Sequence, residues 1–341
     1  MSIFIVTIGF SCDSLFCMKR SISRLAPFES QIQILRKQGI SLRKIAAVLN
    51  AQHGLGISYN AVFSFLKTRE KPDTPTGLFF HGLPNDIREG LIKRITALWT
   101  YDSTAIEGNT LTLGETIKVL ELGLTISGKP LKDHEEVYGH AKAVELIYDL
   151  TKSEKITYAN LFDLHRCVMQ KGAIDAMRPV GGWKREYNGT TGMRAGKPVY
   201  MEYASPADTP LLMVRWLKEF NRKLDSAGSM TKAINVYAWT HLSFVRIHPF
   251  FDGNGRLARL LANLPLLRCA HPPLLISFSR RAEYIDCLWE YEDGVGVITR
   301  SDRLLPPHPS IVKFKALLRD EWQESISIVN QAREQAAARR K

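Results

Sequence analysis

Residues 247–259 read IHPFFDGNGRLAR and gather an imidazole, a carboxylate, a Gly-Asn-Gly turn and two guanidinium groups into one short stretch. Each feature by itself is commonplace: a His before Pro in a loop, a glycine turn, solvated helix arginines. Their compactness and order suggest chemistry. Pro249 disfavours helix at the residue before it, so the helix INVYAWTHLSFVRI must end at Ile247 or His248. GRLARLL then opens the next helix, which puts the backbone of Gly253, Asn254 and Gly255 at a helix N-terminus. Free amides and the helix dipole favour an anion there, and glycine lets a phosphate come close to the backbone. Arg256 and Arg259, three residues apart on the next turn, can grip the outer groups of a polyphosphate. Asp252 would repel a bare phosphate, but it suits Mg²⁺, a hard cation that takes one or two carboxylates together with phosphate oxygens. His248 at the rim can act as general base toward an incoming hydroxyl. These parts describe a nucleoside-triphosphate site with a proton acceptor, although no P-loop GxxxxGK[ST] occurs.

Helices must position this site. DIREGLIKRITALWTYDSTAIEGN has apolar residues at Ile87, Leu91, Ile95 and Leu98. Further helices are expected over about 134–151, from Tyr158, in PLLMVRWLKEFNRKL, in RLARLLANLPLLR, in SRRAEYIDCLWEY and from about Pro309. Strand-like sequence is confined to about 180–203, where paired glycines suggest a hairpin. With no alternation of strands and helices, a parallel sheet is improbable. The expected class is all-α with one short β-hairpin. HEEVYGH resembles a zinc-protease motif, but His134 and His140 are six apart, whereas two ligands on one helical face need a spacing of four.

Residues 18–73 hold ten Lys/Arg against three Asp/Glu, about half of the net charge of +12. ESQIQILRKQ, then LRKIAAVLNAQ behind a Ser41 cap, then YNAVFSFLKTRE read as three short helices in a helix-turn-helix pattern, with Ile45, Val48, Leu49, Val62, Phe65 and Leu66 at helical spacing. A basic unit of this kind is the footprint of nucleic-acid binding, with a solvated basic cap as the plain alternative. Residues 74–79 read as a linker, 80–300 as the catalytic domain and 301–341 as a C-terminal helical extension. The first seventeen residues are apolar, lack a signal peptide's leading positive charge and read as a poorly ordered extension ahead of Met18. No apolar run reaches the roughly 18 residues of a membrane span. Five cysteines without a CxxC pair argue against a disulfide framework and for the cytoplasm.

HPFFDGNGRLAR resembles the signature of the Fic (Fic/Doc) family, HPFx[D/E]GNGRxxR, at every specified position, and the likeness extends to THLSFVRI, LHRCVM and RRAEYIDCL. The resemblance implies a Fic-type helical bundle over roughly 80–300. It also implies transfer of AMP from ATP to a Ser, Thr or Tyr hydroxyl of a protein. On that reading His248 is the base, Asp252 the Mg²⁺ ligand, Gly253, Asn254 and Gly255 the anion nest, and Arg256 and Arg259 the phosphate ligands. STAIEGN resembles the family's inhibitory motif [S/T]xxxE[G/N] through Ser103, Glu107 and Gly108. This implies a self-inhibited enzyme whose inhibitory helix, 95–109, precedes the core and whose Glu107 pairs with Arg259. The hairpin at about 188–203 resembles the family's flap, which holds a target by strand addition.

Competing readings remain compatible with this one. The same site is expected to remove AMP under other conditions. The chain could instead be a DNA-binding regulator, with 18–73 on DNA and a Fic domain that senses nucleotide or modifies itself. Transfer of another phosphate-bearing group, from other nucleotides or CDP-choline, is a third. A homodimer is compatible with the sequence, and no membrane partner is expected.

Overall fold

The computed structural model describes residues 25–37, 40–58, 61, 62, 65, 77–169 and 177–339. The expected extension at 1–17, residues 74–76 of the linker and most of the segment YNAVFSFLKTRE lie outside the described residues. The chain divides into two compact units, Met1–Asp73 and Thr74–Lys341.

In the first unit a 3₁₀ turn, Ala26–Phe28, leads into α1 (Glu29–Lys37), and α2 (Leu42–His53) follows. The Ser41 side chain accepts the Lys44 amide and Gly54 closes α2 in the left-handed conformation that glycine adopts without steric cost. Ile32, Ile45, Leu49, Ile57, Val62 and Phe65 form a small core of their own.

The second unit comprises α3 (Asn85–Ile106), α4 (Leu113–Leu122), α5 (Leu131–Leu150), α6 (Tyr158–Met169), β1 (Gly189–Arg194), β2 (Lys197–Glu202), α7 (Thr209–Lys223), α8 (Met230–Ile247), α9 (Asn254–Arg268), α10 (Arg281–Val295) and α11 (Ser310–Ala338). The expected class, all-α with one hairpin, is the observed one. Helix α4 was not anticipated, yet it carries a full capping box, with Thr112 and Glu115 exchanging side-chain and backbone hydrogen bonds. The strands occupy 189–202 rather than the whole of 180–203, and they turn through Ala195 and Gly196, both at positive φ.

The antiparallel pair α8 and α9 forms the centre. Thirteen of the 18 residues of α8 and thirteen of the 15 of α9 are buried. Helices apolar on every side belong inside a bundle. One core region joins Trp99, Trp216, Phe244, Leu257 and Leu261, and its Trp216 indole donates to Ser243 Oγ at 2.9 Å. A second joins Tyr237, Leu266, Tyr284, Phe314 and Trp322. Helix α11 contributes Ile328, Val329 and Ala332 to the first region, so this helix is built into the unit. Phe79, expected in a linker, is likewise buried here. Among the described residues no helix is long and apolar enough to cross a membrane. The two histidines of HEEVYGH have separate neighbours: His134 accepts the Ile126 amide and lies against the Pro130 carbonyl, and His140 lies against Thr100.

Candidate active site

Helix α8 ends at Ile247, and His248 continues the chain in the left-handed conformation at φ 52° and ψ 60°, its amide closing the last turn on the Phe244 carbonyl at 2.9 Å. A non-glycine residue in this conformation costs roughly 1–2 kcal/mol, and such strain persists where the surroundings over-determine it. His248 Nδ1 lies 3.1 Å from the Val245 carbonyl. A carbonyl can only accept, so Nδ1 carries the proton and Nε2 keeps its lone pair. The ring stacks on Tyr203 with centroids 3.7 Å apart and planes 5° from parallel. Burial, reinforced by the nearby Lys184 ammonium, pushes the His248 pKa down to about 3, with the Val245 carbonyl opposing. The imidazole is therefore neutral.

The loop after His248 is held from several sides. The Lys184 amide donates to Pro249 O at 2.9 Å, and Asn188 Nδ2 donates to Phe250 O at 2.9 Å and Phe251 O at 3.3 Å. Asn254 turns its side chain back onto the same loop, accepting the Phe250 amide at 2.9 Å and donating to Phe250 O at 2.8 Å. Asn254 thus contributes only backbone to any anion nest. His165 stacks on Phe250 at 3.9 Å, accepts the Gly181 amide on Nδ1 at 2.8 Å and donates from Nε2 to Asp252 O at 3.1 Å. Lys184 is 2% exposed, with Nζ 2.6 Å from Asn188 Oδ1, and burial pushes its pKa down to about 7.

Helix α9 begins after Gly253 at φ 79°, and no side chain caps its N-terminus. Asp252 Oδ1 accepts the Gly253 amide at 2.6 Å and lies 3.7 Å from Arg256, while its side chain stays 65% exposed. The buried Arg256 makes only long contacts: Val168 O at 3.5 Å, Met169 Sδ at 3.9 Å and the Glu136 carboxylate at 3.8 Å. Its Nε meets no acceptor among the described residues. Arg259 is better fixed. Its Nε donates to Ser103 Oγ at 3.0 Å, Nη1 to the Tyr284 hydroxyl at 3.1 Å, and Nη2 to Ser103 O at 2.8 Å and Glu107 Oε1 at 2.7 Å.

Helix α3 stops at Ile106, so Glu107 and Gly108 stand in the turn after it rather than within a helix running to 109; Gly108 takes a φ of +98°, which ends the helix. A methyl group on Gly255 would stand 2.6 Å from Glu107 Oε1. The carboxylate therefore lies directly against the start of α9, where an anion is favoured. Ser103, Glu107, Arg259 and Gly255 come together, joined across more than 150 residues of sequence.

The hairpin leans on α10. A methyl group on Gly192 would meet the Trp289 indole at 2.2 Å, so β1 lies flat on that ring, and Arg194 pairs with Asp293. Among the described residues no group of three or more His, Cys, Asp or Glu side chains could hold a metal ion unaided. A lone exposed carboxylate at Asp252 fits Mg²⁺ that arrives on a triphosphate, because Mg²⁺ keeps waters and takes few protein ligands. The sequence reading missed Lys184, Asn188, His165, Tyr203 and Tyr284. Of these only Lys184 lies outside the stretches that resemble the family, since Asn188 and Tyr203 bound the hairpin at about 188–203.

The Fic/DOC family matches residues 155–266, which include His248 through Arg259. The chain carries a Fic/DOC family domain. It is 37% identical over 199 residues to protein adenylyltransferase Fic of Drosophila melanogaster, a match covering 57% of this chain and 37% of that protein. The Drosophila persimilis protein of the same name is 36% identical over 196 residues, covering 57% of this chain and 36% of the relative. The chain thus spans little more than a third of the length of these curated relatives. The fold resembles a Fic-domain-containing signaling protein from Bacteroides thetaiotaomicron, with a TM-score of 0.64 and 27% identity over 75% of this chain and 93% of that one. It also resembles Fic-1 of C. elegans, residues 134–508, with a TM-score of 0.55 and 24% identity over 93% and 84% of the two chains. The matched segment of this Fic domain includes His248, the loop after it and both arginines, whereas Ser103 in helix α3 and Glu107 just after it lie outside that segment.

Proposed function

We propose that the protein is an adenylyltransferase that moves AMP from ATP to a Ser, Thr or Tyr hydroxyl of a protein held at the hairpin, and that Glu107 restrains it. The observation that carries this reading is the neutral His248 with Nε2 free, beside an uncapped helix N-terminus and two buried arginines. Its relatives named protein adenylyltransferase support the transferred group.

The geometry suggests a division of labour. Phosphate oxygens sit on the amides at Gly253–Gly255, with Arg256 and Arg259 taking the outer groups. His248 Nε2 receives the target hydroxyl's proton as that oxygen attacks the α-phosphorus and pyrophosphate leaves. Negative charge on a bound triphosphate counters the burial and the Lys184 ammonium that make the resting imidazole a weak base. Catalysis of this type is positioning plus charge neutralisation. Asp252 would hold Mg²⁺, which supplies neutralisation of the departing phosphates. The two-stranded sheet offers free edges for an extended target segment. The free thiols Cys167, Cys269 and Cys287 suit the cytoplasm.

Incubation of the full chain with labelled ATP, GTP, UTP or CDP-choline, followed by mass spectrometry of modified side chains, tests the reading. An adduct of AMP mass on a hydroxyl residue is expected; transfer of a different group, or none after removal of the Glu107 carboxylate, refutes it.

The capped α2 and the basic charge of residues 18–73 favour a second, compatible proposal, that the first unit binds duplex DNA. Binding by the full chain should fall steeply between about 50 and 200 mM salt.

A further inference from the structure

Helix α8 carries a second buried imidazole, for which the nucleotide reading has no use so far. His241 is fully buried, its ring centroid 5.3 Å from that of Phe314, and its Nε2 lies 2.9 Å from the Tyr284 hydroxyl on α10. That hydroxyl is 3.1 Å from Arg259 Nη1 on α9. Three helices therefore meet in one chain, His241–Tyr284–Arg259, which continues from Arg259 Nη2 to Glu107 Oε1 at 2.7 Å. His241 Nδ1 has no hydrogen-bond partner among the described residues.

Hydrogen-bond counting fixes the direction of this chain. Arginine can only donate, so the Tyr284 oxygen accepts from Nη1. Burial, with the Arg259 charge adding to it, pushes the His241 pKa down to about 3, so the imidazole is neutral and carries one N–H. With that proton on Nε2, the Tyr284 O–H and the Nδ1 lone pair would both go unanswered. With it on Nδ1, Nε2 accepts the Tyr284 O–H and a single buried donor is left over. Each buried polar group without a partner costs stability, so the second arrangement prevails.

We propose that His241 is a positioning residue for Arg259: by accepting the Tyr284 proton it turns the phenol's lone pairs toward the guanidinium and so aims Arg259 at the outer phosphates of a bound nucleotide. The inference rests on the nucleotide-transfer reading above and names what holds the phosphate ligand once Glu107 lets go. Ser103 fixes Nε and Nη2, and the Tyr284 hydroxyl fixes Nη1. Without an acceptor at His241 the phenol keeps a buried proton unanswered, and its oxygen is no longer held at Nη1.

The test is equilibrium binding of ATP and of AMP, each with Mg²⁺ at neutral pH, to the full chain carrying Glu107→Gly. AMP has no outer phosphates, so the ratio of the two dissociation constants reads the Arg259 contact. His241→Leu removes the acceptor and should lower the ATP preference about tenfold, the scale of one hydrogen bond to a charged group. His241→Gln sets an amide oxygen near the place of Nε2 and should restore most of that preference. His241→Asn is one bond too short to do so, and it stands in for His241→Leu if the latter does not fold. On a chain that also carries Tyr284→Phe, His241→Leu should change nothing more, because both act through one hydroxyl. Three outcomes overturn this inference and leave adenylyl transfer standing: an ATP preference that Arg259→Ala lowers and His241→Leu does not, equal weakening of ATP and AMP by His241→Leu, or an undiminished effect of His241→Leu on the Tyr284→Phe chain. An ATP preference that Arg259→Ala leaves unmoved, or failure of every nucleotide to bind, overturns both.

Discussion

Glu107 places Oε1 2.7 Å from the Arg259 guanidinium and against Gly255 at the start of α9, so one carboxylate engages a buried arginine and the adjoining helix N-terminus together. Arg259 is 3% exposed and Glu107 37%, so water screens the pair from one side only. Ser103 and Tyr284 keep holding Arg259 when the carboxylate is gone. Glu107→Gly should therefore raise AMP incorporation into self or target on the order of 10²-fold, the scale of an ångström of misalignment at the reacting phosphorus. Arg259→Ala should not mimic it, because on the proposed reading it removes a phosphate ligand together with the restraint. Equal, low incorporation by the parent and Glu107→Gly, with His248 intact, would show that Glu107 is not the restraint.

His248→Ala should lower transfer by about 10²–10⁴-fold, the usual contribution of a general base, while ATP affinity stays within a few-fold. His248→Asn is the companion variant, since asparagine tolerates the left-handed conformation at φ 52°. Rapid transfer by either variant removes His248 from the base role.

Asp252→Ala should weaken nucleotide binding in the presence of Mg²⁺ and leave the weaker Mg²⁺-free binding little changed. Calorimetric titration with and without Mg²⁺ separates the two. An unaltered Mg²⁺ dependence in the variant assigns the metal elsewhere.

Acid should destabilise the fold early. Burial lowers the pKa of His140, takes His165 down to about 4 and His241 to about 3, and with the Lys184 charge does the same for His248. Unfolded histidines titrate near 6.5, so below that pH the unfolded chain binds more protons and stability falls as pH drops. Burial raises Asp102 to about 6 and Glu292 to about 8, and these two oppose the loss because their contribution declines as pH rises. His271 is lowered by burial and Glu321 raised in the same way, so the lowered histidines outnumber the raised carboxyls and the balance is a loss of stability below pH 6. Above pH 7, the Lys184 contribution rises with pH while that of Glu292 falls, giving a plateau. Melting temperature should thus drop steeply from pH 6.5 to pH 5 and vary little from pH 7 to pH 8; a flat profile from 5 to 7 contradicts the neutral buried histidines.

Local periodicity and local chemistry were legible in the sequence. Pro249 had to end α8 at Ile247 or His248, Gly253 had to turn the chain into α9, and apolar spacing marked α3 and α5 through α11, because each depends on contacts within one or two helical turns. Helix α4 was legible too, through the Thr112–Glu115 capping pair, but its short apolar pattern did not stand out. Tertiary structure decided the rest. Nothing local marks Lys184 as a buried lysine beside His248, Tyr203 as the ring beneath it, or Glu292 as a protonated acid, since burial depends on elements distant in sequence. Arg256 and Arg259 look equivalent in GRLAR, yet one faces α5 and α6 with an unpartnered Nε while the other is held by Ser103 and Tyr284. Helical rotation sends residues three apart toward different neighbours, and only the packed bundle fixes who those neighbours are.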